Sequence, residues 1–161
     1  MGEFFDCEQK ILKGYFEIQG TPEEILRHKL SKEYEAFQRT VLVDDTSIHF
    51  DELGGFPGPY IKDFIRAIPI YDIGVKFVGG RMQTVCLLGM YDGIHDICIA
   101  KRTVRGDIVM PKNIDHGDKE FDLFFQVDGR DKPMIDFTLD GKNTFSYRGR
   151  ALDDFVSKIQ Q

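Results

Sequence analysis

The segment Gly54-Gly55-Phe56-Pro57-Gly58-Pro59 constrains this chain more than any other stretch. Glycine and proline at this density cannot continue a helix or a strand, so the segment specifies a fixed turn. Separate elements must flank it. Upstream, Thr40-Val41-Leu42-Val43 is a short, wholly apolar run of the kind expected of a strand covered on both faces, and it ends in Asp44-Asp45-Thr46. Downstream, a helix is expected from about Tyr60 to Ala67. The turn reads in two ways. It is a tight crossover, or it is a rigid loop beside a ligand, with Lys62 in the first helical turn, where an anion meets positive potential.

Other elements follow from local chemistry. Ile11 to Gln19 mixes apolar and polar residues as a strand would. Thr21-Pro22-Glu23-Glu24 starts a helix, with a capping hydroxyl, proline at the first position and two acids at the positive end of the dipole. That helix should run to about Phe37. Strands are expected at Val75–Val78, Gln83–Tyr91 and Asp96–Arg102, the last two joined as a hairpin at Tyr91-Asp92-Gly93. Arg105–Val109 reads as a further short strand, Phe121–Val127 as an apolar run and Ser146–Ile159 as a final helix. The alternation predicts a single α/β domain over residues 1–161, with a twisted mixed sheet and flanking helices.

Composition limits the function classes. A 161-residue chain that is 42% hydrophobic, with 14 Phe and 6 Tyr, has ample core material for one domain. A net charge of -6 argues against coating nucleic acid, yet leaves room for a local phosphate pocket. No run approaches the ~20 apolar residues of a membrane span. Met1–Asp6 lacks the basic and apolar regions of a signal peptide. Cys7, Cys86 and Cys98 have no metal-ligand spacing, so reduced thiols and a cytoplasmic location are expected. His28, His49, His95 and His116 form no ligand-spaced cluster, and none is assigned a role.

Asp44 and Asp45 are the first candidates for chemistry. Adjacent carboxylates at the end of a strand can hold a hard divalent cation or activate a water, or they can be an acidic turn. At this point the chain resembles a known family. Val43-Asp44-Asp45-Thr46-Ser47-Ile48 followed by Leu53-Gly54-Gly55-Phe56-Pro57-Gly58-Pro59-Tyr60-Ile61-Lys62 is similar to the most characteristic stretch of the inosine triphosphate pyrophosphatases. Glu17-Ile18-Gln19-Gly20 resembles the family's Glu-x-Gln-Gly, and Lys29 stands where the next helix carries a lysine. Phe121-Asp122 and Phe125–Gly129 resemble its Trp-Asp-Pro and Phe-x-Pro-x-Gly region. Lys142-Asn143, Ser146-Tyr147-Arg148 and Arg150-Ala151-Leu152 resemble its C-terminal elements. The similarity runs from Glu17 to the end. Nothing matches the family's opening strand and Gly-Asn-x-x-Lys phosphate loop, so the resemblance implies an N-terminally shortened, divergent member or a start that lies upstream. Lys119-Glu120-Phe121-Asp122-Leu123 replaces Phe-Gly-Trp-Asp-Pro, and Tyr147 replaces a histidine.

The resemblance implies two lobes around a nucleotide cleft. It implies hydrolysis of inosine, deoxyinosine and xanthosine triphosphates to the monophosphate and pyrophosphate, by Mg²⁺-assisted attack of water on the α-phosphorus. By position, Glu17 and Asp45 are the metal side, with Asp45 also the base and Asp44 a supporting acid. Lys29 and Lys62 neutralise phosphate oxygens. Phe121, Asp122, Lys142, Tyr147 and Arg148 form the base site, where Lys142 and Arg148 as pure donors suit a 6-oxo purine and reject adenine's amino group. A homodimer is expected. The competing expectation is an inactive relative that binds nucleotides or a protein partner, motivated by the absent phosphate loop and altered base-site residues.

Overall fold

The computed structural model describes residues 8–10, 12, 16–111 and 121–160. Cys7, His116, Lys119 and Glu120 lie outside these. The first element is α1, Pro22–Phe37. Its start is a reciprocal cap: Thr21 Oγ1 accepts from the Glu24 amide at 3.3 Å, and the Glu24 carboxylate accepts from the Thr21 amide at 2.8 Å. Gln38 ends it in the left-handed region, at φ 51°. Strand β1 then runs from Val41 to Phe50, and the two-residue β2 is Pro57–Gly58. Helices α2, Ile61–Ala67, and α3, Ile70–Phe77, follow. The long hairpin is β3, Arg81–Tyr91, and β4, Cys98–Ile108. The chain closes with β5, Phe125–Val127, the short α4, Leu139–Asn143, and α5, Tyr147–Ile159.

The sheet order is β2-β1-β3-β4-β5, and each pairing is antiparallel. The flanked sheet is as expected; the mixing of strand directions is not seen between neighbours among the described residues, because α2 and α3 carry the chain from β2 past β1, so that β1 lies antiparallel between β2 and β3, and β3 turns straight back into β4. Three local expectations also change. The strand predicted to stop at Asp44 continues to Phe50, since each residue from Val41 to Phe50 has a partner in β3. Val75–Val78 is not a strand: Val75 lies in α3, whose Ile70 and Ile73 are buried. A short apolar run suits either geometry, and here tertiary packing selects the helix. Arg105–Val109 is largely the second half of β4, which runs through Arg102-Thr103-Val104 without a break. Of the described residues between Ile11 and Gln19, none is in a strand.

Alternation along β1 and β3 divides the core in two. On one face, Leu26 and Leu30 of α1 pack on Val41, Val43 and Leu87. On the other, Ile48, Phe50, Met82, Cys86, Leu88 and Val104 meet Phe124, Phe145 and Phe155. The turn cluster folds back on β1. Gly54, Gly55 and Gly58 all have positive φ (61°, 94° and 57°), which only glycine adopts without strain. Two backbone bonds hold it: the Gly55 amide donates to the Phe50 carbonyl at 2.9 Å, and the Phe50 amide to the Phe56 carbonyl at 3.2 Å.

Candidate active site

Lys29 sits on the buried stripe of α1, beside Leu26 and Leu30, and is only 5% exposed. Burying an ammonium requires compensating charge. Asp45, on the α1 face of β1, places Oδ1 at 2.6 Å from Lys29 Nζ. Glu17 places Oε1 at 3.0 Å from the same ammonium and at 2.9 Å from Lys62 Nζ, in the first turn of α2. Burial by itself would lower the Lys29 pKa, but Asp45 and Glu17 outweigh it and raise it above the ordinary lysine value. Burial would likewise raise Glu17, and bonds from Lys62 and Lys29 hold it below the ordinary carboxylate value instead. Glu17, Lys29, Asp45 and Lys62, distant in sequence, are therefore one charged network. The lysines converge on a single oxygen atom, as they would on a phosphate oxygen.

Asp44 is not part of that network. Neighbours on a strand face opposite sides of the sheet. Asp44 lies on the α5 face, where its Oδ2 accepts from Arg148 Nε at 3.0 Å. The adjacent carboxylates therefore cannot grip one cation together. Near Arg148 is a cavity of about 190 Å³, lined by Asp44, Cys86, Leu88, Asn143, Arg148 and Leu152. Burial raises the Cys86 thiol to about 12, with the Asp44 charge adding to the rise, so it stays protonated and unreactive. Ser146 caps α5 by accepting from the Gly149 amide at 3.1 Å. A Cβ at Gly149 would collide with the Asn143 carbonyl, so glycine there lets α4 and α5 approach closely.

The remaining base-site candidates divide. Lys142 Nζ donates to Asp122 Oδ2 at 2.9 Å, a half-buried pair on the same side of the sheet as the larger core. Phe121 lies in that core, 9% exposed, with its ring edge-on to Phe50 at 5.9 Å, rather than offering an open face for stacking. Tyr147 is also buried, and the Arg148 guanidinium stands 5.4 Å from its ring centre. The sequence reading gave His49 no role. Its Nε2 lies 2.9 Å from Ser47 Oγ, and its ring packs under Gly58, tying the glycine-rich loop to β1. Burial keeps this imidazole's pKa low, against an opposing bond at Gly55. The alternation of Asp45, Ser47 and His49 onto one face of a longer strand was the available signal.

Among the described residues no group of three or more His, Cys, Asp or Glu side chains could hold a metal by itself. Glu17 and Asp45 nevertheless face each other across Lys29 Nζ. Two carboxylates suit Mg²⁺, which takes one or two protein carboxylates and completes its octahedron with water and substrate phosphates. One face of β1 thus offers paired charges for an anion, and the other an apolar cavity with an arginine at its rim.

A profile of the Ham1 family matches residues 3–158, and the chain belongs to that family. The inosine triphosphate pyrophosphatase of Scheffersomyces stipitis is 33% identical over 143 residues, covering 85% of this chain and 72% of the relative. That of Encephalitozoon intestinalis is 35% identical over 143 residues, covering 84% and 72%. In fold, the structure of the Staphylococcus aureus Ham1 protein superposes with a TM-score of 0.71 at 24% identity, over 90% of this chain and 79% of that one. No helix among the described residues is long and apolar enough to cross a membrane.

Proposed function

We propose that this chain hydrolyses non-standard purine nucleoside triphosphates to the monophosphate and pyrophosphate. The convergence of Lys29 and Lys62 on Glu17, with Asp45 on the far side of Lys29, carries the reading. The names of the similar proteins from S. stipitis and E. intestinalis support it. The two lysines take phosphate oxygens that displace Glu17 from its bridging position. Glu17 and Asp45 are the carboxylates that would hold Mg²⁺. When bound, the metal spreads phosphate charge and lowers the pKa of water. Asp45 orients the attacking water, and the Lys29 ammonium 2.6 Å from its Oδ1 fixes its direction. Lys142 and Arg148 supply donors for a 6-oxo base, which leaves adenine's amino group facing donors. Asp122 holds Lys142 in place. With this reading go a homodimer, carried over from the resemblance, and the cytoplasmic location expected from the unpaired cysteines.

The test is pyrophosphate release with Mg²⁺, comparing inosine and adenosine triphosphates. Release from the inosine nucleotide, lowered about 10²–10³-fold by Asp45→Asn, is the expected result. Binding of inosine triphosphate without turnover by folded protein would make the chain a binding relative.

A further inference from the structure

We propose that Asp44 is a positioning residue that sets base selectivity through Arg148, and that it takes no part in hydrolysis beside Asp45. The inference rests on the reading that Arg148 meets the base. The direction of Asp44 is its first support. Asp44 pairs with Leu88 across β1 and β3, in the interior of a ten-residue strand, so its backbone is fixed on both sides of the residue. Its side chain leaves on the α5 face, away from the Lys29 network that its neighbour Asp45 meets.

The position of Arg148 is the second support. It is the second residue of α5, at the positive end of the helix dipole, where a cation is disfavoured. A long, largely exposed side chain there has no intrinsic reason to stay over the cavity. Asp44 supplies the reason, with Oδ2 at 3.0 Å from Nε. The Tyr147 ring, 5.4 Å from the guanidinium carbon, limits its swing. The bond to Asp44 runs through Nε, so both terminal Nη groups remain to meet a ligand. A guanidinium held by its inner edge presents those groups as a fixed planar pair of donors. Such a pair donates to a ring carbonyl and an adjacent ring acceptor nitrogen and is mismatched to an exocyclic amine. The donor plane is set by a strand, which holds direction better than a loop.

The experiment uses the full chain, with Asp44→Asn, Asp44→Glu, Arg148→Gln and the Asp44→Asn/Arg148→Gln double variant, each checked by thermal melting. Calorimetry measures the Kd for inosine monophosphate, which needs neither triphosphate nor metal. Steady-state kinetics measure kcat and KM for inosine and adenosine triphosphates. Losing one charge-assisted contact should raise the Kd and the inosine triphosphate KM about tenfold in Asp44→Asn and narrow the preference over adenosine triphosphate. kcat should stay within about threefold. Asp44→Glu should recover part of the loss, and Asp44→Asn should add nothing once Arg148 is glutamine. A fall in kcat of about a hundredfold at constant KM would make Asp44 a catalytic partner of Asp45 and overturn the inference, as would an undiminished effect in the double variant. Unchanged binding in Asp44→Asn, with tight binding by the parent, would sink this inference alone. No binding of inosine monophosphate or triphosphate by the parent would sink the base-site reading with it.

Discussion

Glu17 is the residue on which the charged network turns, because one of its oxygen atoms faces both lysines. Its pKa is lower folded than in a free chain. The linked stability is therefore present above the ordinary carboxylate pKa, near 4.5, and is lost as pH falls through the lower folded value. Glu17→Gln should be less stable than the parent at pH 7 and approach it as acid removes the parent's charge. Urea midpoints measured from pH 3 to pH 7 check this: two parallel curves would mean that Glu17 is not coupled to the lysines. Truncating Lys29 would be harsher than losing Glu17, since it leaves two carboxylates facing each other in a half-buried site.

At the scale of elements, the approach of α4 to α5 shapes the cavity. Gly149 permits it, because a side chain there would meet the Asn143 backbone. Gly149→Ala should cost on the order of 1–3 kcal/mol, despite alanine's better helix propensity, read as a lower midpoint in urea. A neutral or stabilising effect would show that the contact yields easily. Elements with chemical markers at their ends were legible in advance. Thr21, Pro22 and Glu24 announced α1, the glycine–proline cluster announced the turn before α2, and Tyr91-Asp92-Gly93 announced the hairpin. Where the marker was missing, the reading slipped. Nothing in Ile73-Gly74-Val75 separates helix from strand, and only packing against the large core decides. Asp44-Asp45 read as a strand end because charge is rare in strands covered on both sides, yet each carboxylate finds a cation from a helix on its own face. The candidates Glu17, Lys29, Asp45 and Lys62 were named through the resemblance, and the structure brings them into one charged network. The burial of Phe121 was not legible, because a ring in a core and a ring beneath a base look alike in sequence.

Over the whole molecule, β1 and β3 are common walls of both cores. Leu87 belongs to the α1 side, and its neighbours Cys86 and Leu88 to the α5 side. Neither core can open without exposing the back of the other. Calorimetry should therefore find one cooperative transition, and Leu30→Ala and Phe155→Ala should each lower that transition, by about 2–5 kcal/mol, without splitting it. Two separable transitions would show that the α1 layer melts by itself.

The opposed directions of Asp44 and Asp45 carry a further consequence, one of odd and even counting. A residue of β1 belongs to the α1 side or the α5 side according to the parity of its position. A single residue inserted early in the strand would exchange the two sets at once, turning every later side chain to the other face. Two residues inserted together would restore the assignment while lengthening the strand. Natural variation in this strand should therefore conserve parity more strictly than length, and an engineered one-residue slip should abolish both halves of the site together.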